Sequence, residues 1–86
     1  MPDINILVVD DEKEIADLIE IYLVSDGYKV FKAENAARGL EILEKEEIDV
    51  LHICTQHYLH TPMAAEALRR GIHTFMEKPP VISQEQ

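Results

Sequence analysis

The first apolar run of the chain constrains its fold most. Residues 4–9 read INILVV, nearly all apolar and β-branched, without alternation of polar and apolar positions. A strand of this kind is covered on both faces, as in the centre of a parallel sheet. The run is followed by an apolar helical stripe with i, i+3, i+4, i+7 and i+8 spacing, formed by Ile15, Leu18, Ile19, Tyr22 and Leu23. The start of the chain therefore predicts a buried strand followed by an amphipathic helix.

The same alternation of strand and helix signals continues to the end of the chain. Residues 28–33 read YKVFKA, with lysines between apolar residues, which is typical of an edge strand. The other signals are Gly27 at a helix end, Asn35 as a second N-cap, a third strand over 49–55, Thr61-Pro62 as a helix start, Gly71 as its end, a fourth strand over 73–77, and Lys78-Pro79-Pro80 as a stop. This βαβαβαβ order predicts a parallel sheet with helical crossovers.

Length and charge limit the classes of partner. With 86 residues the chain is one domain, and 17 acidic against 8 basic side chains give a net charge of -9. That charge argues against nucleic acid and anionic membranes as partners, because phosphate groups would be repelled. No apolar run approaches the ~18 residues of a membrane span. The N-terminus lacks a basic region followed by an apolar core, so we expect a cytoplasmic location.

Histidine and cysteine give little indication of a metal site. Cys54 is the only cysteine, so it forms no internal disulfide and no zinc site by itself. The chain has four histidines, His52, His57, His60 and His73. Their spacing does not bring a third metal ligand to any two of them. We expect His52 to pack against a helix and Cys54 to act as a small buried hydrophobe.

Asp10 and Asp11 close the first strand. Two adjacent carboxylates at the carboxyl end of a parallel strand are suited to a hard cation such as Mg²⁺. In the alternative interpretation Asp11 and Glu14 form a capping box, and Asp10 is solvated. We predict Asp10 and Asp11 as weak metal ligands, with no catalytic residue and no other cofactor.

Residues 6–50 resemble the first half of a response-regulator receiver domain, from ILVVDDEKEIADLIEIYL to EILEKEEIDV. The resemblance implies Mg²⁺ binding by Asp10 and Asp11. It also implies a phospho-accepting aspartate five residues after Asp49, where this chain has Cys54. A thiol cannot form an acyl phosphate and is a poor ligand for a hard cation. Phosphotransfer is therefore not expected.

Residues 49–80 resemble the cofactor-binding domain of the glucose-fructose oxidoreductase and inositol dehydrogenase family. The matching motifs are Thr55-Gln56-His57, His60-Thr61-Pro62, Gly71-Ile72-His73 and Glu77-Lys78-Pro79. The resemblance implies that Lys78 lies near the nicotinamide and the substrate. That family, however, holds the pyrophosphate in a Gly-rich turn after its first strand, where this chain has Val9-Asp10-Asp11-Glu12. Carboxylates would repel a pyrophosphate, so neither dinucleotide binding nor hydride transfer is expected.

The two resemblances together suggest a chimera joined near residues 48–51. The receiver-like half is 1–48, the Rossmann-like half is 49–80, and 81–86 is a tail. The implied fold is a three-layer α/β flavodoxin-like/Rossmann-like hybrid, with a parallel four-stranded sheet of order 2-1-3-4. Right-handed crossovers place the first helix on one face and the other two on the opposite face.

The hypothesis that follows is a designed or recombined scaffold with no native biochemical activity, not an enzyme. The alternatives are a residual Mg²⁺- or nucleotide-binding module and, third, signalling by phosphorylation. One sheet face is expected to be poorly covered over the third and fourth strands, where either Val50, His52 and Cys54 or Leu51 and Ile53 would point. An exposed apolar face beside an open edge predicts association, so we expect a homodimer.

Overall fold

Strand and helix alternate strictly along the chain in the structure, a computed structural model that describes residues 4–54, 58 and 60–76. The elements are β1 (Asn5–Val9), α1 (Lys13–Ser25), β2 (Lys29–Ala33), α2 (Ala36–Lys45), β3 (Val50–Ile53), α3 (Pro62–Arg69) and β4 (His73–Met76). This confirms the predicted βαβαβαβ pattern. The interpretations placed on Thr55, His57, Lys78 and the 81–86 tail lie outside the described residues.

The four strands form one parallel sheet in the order β2-β1-β3-β4. Leu7 of β1 lies between Phe31 of β2 and Leu51 of β3, so the unalternating apolar strand occupies the interior of the sheet. The predicted strand order is confirmed, and β2 is an edge strand as its lysines indicated. The other edge is β4. Among the described residues no helix is long and apolar enough to cross a membrane.

Two separate clusters of apolar side chains cover the two faces of the sheet. The larger cluster joins Leu7, Val9, Leu51 and Ile53 to α2 and α3. The smaller cluster, on the α1 face, consists of the buried residues Ile6, Val8 and Ala16 with partly buried neighbours that include Val50 and Cys54. The molecule therefore has the predicted three layers, and the α1 face is the less filled of the two.

The apolar stripe predicted on α1 is only partly buried. Ala16 is buried, and Ile19 and Leu23 pack against the smaller cluster. Leu18 and Tyr22 are instead 52% and 66% exposed, and Ile15 is also exposed. The rest of the stripe stays exposed because no neighbouring helix lies beside α1 over β3 and β4 in the part of the chain that the structure describes.

Local capping signals fix the ends of the later helices. Asn35 Oδ1 accepts a hydrogen bond of 2.8 Å from the backbone N–H of Arg38, and Thr61 Oγ1 accepts one from that of Ala64. Gly27 and Gly71, which follow α1 and α3, have φ angles of 96° and 73°, the left-handed region that favours glycine. These positions are as the sequence predicted.

Candidate functional site at the carboxyl edge of the sheet

The carboxyl ends of β1 and β3 lie side by side, so the residues that follow these strands meet at one edge. Val9 is in register with Ile53, and the Cys54 N–H donates a hydrogen bond of 3.2 Å to the Val9 carbonyl. On the other side, the Asp10 N–H donates one of 3.0 Å to the carbonyl of Ala33 in β2. Ligands of open parallel sheets bind at this edge.

Asp10 holds the turn from β1 into α1. Its side chain is 5% exposed, and its Oδ1 accepts a hydrogen bond of 2.9 Å from the Glu12 N–H. Glu12 is the N-cap and makes no side-chain capping bond, so the capping box predicted for Asp11 and Glu14 was wrong. The carboxylate that reaches the turn is that of Asp10, one residue before Asp11, because the backbone bends directly after the strand. Asp10 is also not merely solvated, whereas Asp11 is exposed.

Tyr58 extends across the same edge. Its hydroxyl donates a hydrogen bond of 3.4 Å to the backbone carbonyl of Glu34, at the end of β2. Burial raises the pKa of the Tyr58 phenol, and the carboxylates of Asp11 and Asp10 raise it further. Tyr58 therefore lies within electrostatic reach of both acids. Tyr58 was not among the residues predicted from the sequence, where the available signal was an aromatic residue soon after the third strand.

A small cavity beside Asp10 is lined by two lysines that form ion pairs with carboxylates. Its volume is about 140 Å³, and its lining is Asp10, Lys13, Ala16, Asp17, Lys32, Ala33 and Glu34. Asp17 accepts hydrogen bonds from Lys13 Nζ at 2.8 Å and Lys32 Nζ at 2.5 Å, and these bonds lower the Asp17 pKa. Lys32 also pairs with Glu20 at 2.9 Å. Both ammonium groups are neutralised by carboxylates, so the cavity is a poor anion site.

The side chains at this edge meet only part of the requirement for Mg²⁺. Asp10 and Asp11 supply oxygen donors suited to a hard cation. The adjacent strand end supplies Cys54, whose Sγ lies 3.7 Å from His52 Nδ1. Within residues 4–54, 58 and 60–76 no group of three or more His, Cys, Asp or Glu side chains is arranged to hold a metal. Asp10 and Asp11 as metal ligands stay a prediction.

The same edge does not fit the pyrophosphate of a dinucleotide. A pyrophosphate binds at the N-terminus of the first helix, through backbone N–H groups presented by a glycine-rich turn. Here Asp10, Asp11 and Glu12 lead into α1, and Glu14 lies in its first turn. Glu34 does follow β2, where an acidic residue about 20 residues after the turn would bind a ribose hydroxyl. Glu34 was not among the residues predicted from the sequence, although an acid directly after the second strand was a usable signal.

The described histidines do not converge. His52, 8% exposed, stacks on Phe75 of β4 with ring centroids 5.5 Å apart, instead of packing mainly against a helix as expected. His60 and His73 are exposed. His52 and Cys54 share the α1 face of the sheet with Val50. The structure thus decides between the two sets of β3 residues that the sequence left open.

A parallel sheet with helices on both faces defines this chain as a doubly wound α/β protein. The family model described as "Oxidoreductase family, NAD-binding Rossmann fold" (GFO_IDH_MocA) matches residues 6–86. The chain therefore belongs to this oxidoreductase family.

Curated relatives of another class also match about half of the chain. It is 56% identical over 46 residues to the regulatory protein VanR of Enterococcus faecium, which is 54% of this chain and 20% of VanR. It is 38% identical over 47 residues to the transcriptional regulatory protein GlrR of Escherichia coli (strain K12), covering 55% of this chain and 11% of GlrR. The match to VanRc of Enterococcus gallinarum is 44% over 46 residues, again 54% of this chain and 20% of the relative. The chain thus spans a fifth or less of these regulators.

The oxidoreductase match and the regulator matches must overlap, because their combined length exceeds that of the chain. One physical reason is that receiver and Rossmann domains both begin with parallel strand–helix units. The predicted resemblance to a receiver joined to part of an oxidoreductase is confirmed. The junction near residues 48–51 stays a prediction.

Proposed function

We propose that this domain is a non-catalytic α/β scaffold, recombined by nature or by design from a receiver-like and an oxidoreductase-like fragment. The observation that carries the proposal is the composition of the carboxyl edge. Asp10 lies beside Cys54, and α1 is entered through carboxylates. The proposal keeps the predicted cytoplasmic location.

The residue after β3 does not suit phosphotransfer. An acyl phosphate forms on a carboxylate, and the receiver resemblance puts the accepting position at Cys54. Its thiol is partly buried and packs with the smaller apolar cluster. A soft sulfur ligand beside Asp10 also weakens the site for Mg²⁺. Phosphorylation would therefore lack both its acceptor and a complete cation site.

Negative charge at the N-terminus of α1 does not suit the dinucleotide that hydride transfer requires. The helix dipole favours an anion there, but the acidic side chains of Asp11, Glu12 and Glu14 already supply negative charge. Lys13, the nearest cation, is paired with Asp17. A pyrophosphate at this helix would meet repulsion and no available ammonium group in the described part of the site.

The second candidate function is a residual binding module for Mg²⁺ or a nucleotide. It is supported by the two adjacent acids at the end of β1, Asp10 and Asp11, whose carboxylates both raise the pKa of Tyr58. For a nucleotide, the position of Glu34 after β2 is the supporting observation. Without a third carboxylate or a glycine-rich turn, we expect either affinity to be no tighter than millimolar.

Calorimetric titration of the whole chain with Mg²⁺, then NAD, then NADH tests the proposal. The wild type is expected to give no saturable binding below about 1 mM. Cys54→Asp would add a carboxylate beside Asp10 and should tighten Mg²⁺ binding at least tenfold. The matched control is Cys54→Asn, whose side chain has nearly the shape of aspartate but no charge. This variant should bind Mg²⁺ as weakly as the wild type.

Two results would overturn the scaffold proposal. One is micromolar binding of Mg²⁺ or a dinucleotide by the wild type, which would establish the binding module. The other is stable phosphorylation by acetyl phosphate at a residue of the carboxyl edge, detected by intact mass and located by peptide mapping. A label on an exposed residue elsewhere would not count. An unchanged Cys54→Asp variant would contradict the argument that Cys54 is what weakens the cation site.

A further inference from the structure

One half of the α1 face of the sheet is bare in the described part of the chain. α1 lies over β1 and β2, whereas β3 and β4 have no helix above them on this side. A groove of about 410 Å³ remains there, lined by Ile6, Leu18, Ile19, Tyr22, Leu23, Val50, His52 and Phe75. The groove is apolar except for His52 and the Tyr22 hydroxyl, and residues of α1 form one of its walls.

The wall of the groove is also an exposed apolar ridge. Ile15, Leu18 and Tyr22 follow i, i+3, i+7 spacing and are 43%, 52% and 66% exposed. Ile21, near the outer side of the helix, and Phe75, on β4, are exposed by similar fractions. We call these five residues the α1 patch.

Three of the four charged side chains of α1 form ion pairs: Lys13 pairs with Asp17, and Lys32 of β2 pairs with Asp17 and Glu20. The fourth, Glu14, is exposed and lies four residues before Leu18, so it borders the patch. Apolar patches of this kind on α/β domains mark interaction sites.

We propose that the occupant of the groove is α1 of a second copy of this chain. In an isologous two-fold dimer the patch of each copy enters the groove of the other, so both α1 helices lie side by side between two sheets. α1, with 13 residues, is about 20 Å long, and the four-residue strands β3 and β4 are about 13 Å long. One helix is thus long enough to cover both bare strands of its partner.

The exposed area agrees with what a dimer needs. A standard interface buries about 800 Å² per partner, and about 65% of a homodimer interface is apolar, so about 500 Å² of apolar surface is required. The two aromatic rings of the patch leave roughly 100 Å² each exposed and the three aliphatic side chains somewhat less, which gives roughly 400–500 Å². The patch supplies nearly all of the apolar share.

The net charge sets the expected salt dependence. Each copy carries a net charge of -9, so two copies repel one another at low ionic strength. An apolar self-interface should therefore strengthen when salt screens that repulsion. A cationic partner at the same groove would show the opposite dependence, which separates the two kinds of occupant. The inference is independent of the proposed function.

Sedimentation of the whole chain at tens of micromolar tests the proposed dimer, with two matched variants. Leu18 and Val24 are both 52% exposed on α1, but Val24 does not line the groove and lies about 160° around the helix from Tyr22. Leu18→Glu should weaken dimerisation at least tenfold, because each dimer would bury two unpaired carboxylates. Val24→Glu should sediment as the wild-type dimer, and circular dichroism should show that both variants fold.

The wild type is expected to be dimeric and to dimerise more tightly at higher salt. A wild type that stays monomeric would overturn the proposal, and the groove would then belong to another protein or to a further segment of the chain. A dimer that survives Leu18→Glu, or one that Val24→Glu dissociates equally, would also overturn it, because the interface would then lie elsewhere.

Discussion

Gly39 in α2 lies directly against the side chain of Met63 in α3. A Cβ atom at position 39 would overlap the Met63 sulfur and come within 3.4 Å of Cγ2 of Val9 on the sheet below. Both Gly39 and Met63 are buried. The missing side chain therefore lets the two helices pack closely over β1.

Gly39→Ala should destabilise the fold although alanine favours the helix. Better helix propensity would contribute about 1 kcal/mol in favour of the variant, whereas overpacking a filled core costs about 1–3 kcal/mol. Urea unfolding should show a net loss of stability. In the Met63→Ala background the obstructing sulfur is gone, so the same substitution should be neutral or stabilising. Equal effects in both backgrounds would contradict the close packing.

Much of the fold could be predicted because its signals are local. The apolar run before Asp10 indicated an interior strand, and Asn35 and Thr61 marked helix starts by hydrogen bonds that reach only three residues along the chain. The positive φ of Gly27 and Gly71 is likewise a property of a single residue. Capping and turn chemistry depend on near neighbours, so the sequence contains them directly.

The site was less predictable because its contacts join distant residues. The bond from Tyr58 to Glu34 spans 24 positions, and no periodicity encodes it. The stacking of His52 on Phe75 depends on the register of β3 with β4. Gly39 could be interpreted from sequence only as a cost to its helix, since its benefit comes from Met63. Spacing also could not decide which of two adjacent acids would reach the turn.

Asp10 should contribute to stability through its side-chain oxygen and not through its charge alone. Asp10→Ala would leave the Glu12 N–H without its acceptor at a part-buried turn, a loss of about 1–2 kcal/mol. For a domain of this size that corresponds to a decrease in Tm of roughly 5–15 °C, measured by thermal circular dichroism.

Two variants control for charge and position. Asp10→Asn keeps a side-chain oxygen in the same place and should unfold close to the wild type. Asp11→Ala removes the exposed neighbour, which makes no such bond in the described structure, and should have little effect. Equal losses for Asp10→Ala and Asp11→Ala would argue against the turn bond.

Arg70 joins the ends of two helices. Its Nη1 donates a hydrogen bond of 2.9 Å to the Leu43 carbonyl in the last turn of α2, and its Nε bonds Glu66 in α3. Arg70→Ala should therefore cost about 1 kcal/mol in urea unfolding, through the loss of a part-buried bond at a helix terminus. Arg69 also pairs with Glu66 but is 76% exposed and has no described bond to α2. Arg69→Ala should change stability much less, and a reversed ranking would contradict the role of the Leu43 bond.

Tyr58 should ionise at higher pH than an ordinary tyrosine. Its folded-state pKa is raised above the usual 10.0 by burial first and then by the carboxylates of Asp11 and Asp10. Folding thus favours the neutral phenol, so its contribution to stability is complete below pH 10 and is lost as the pH rises through the folded-state pKa. Ultraviolet titration of tyrosinate, with the Tyr58→Phe variant subtracted to remove Tyr22 and Tyr28, isolates this group.

Removing one nearby charge tests which groups cause the shift. Asp11→Asn should lower the Tyr58 pKa towards 10.0 without restoring it fully, because burial is the larger cause. Asp26→Asn changes the net charge by the same amount at the other end of α1 and should leave the Tyr58 titration unchanged. If both variants moved it equally, the effect would come from the overall charge of -9 and not from the acid pair at the carboxyl edge.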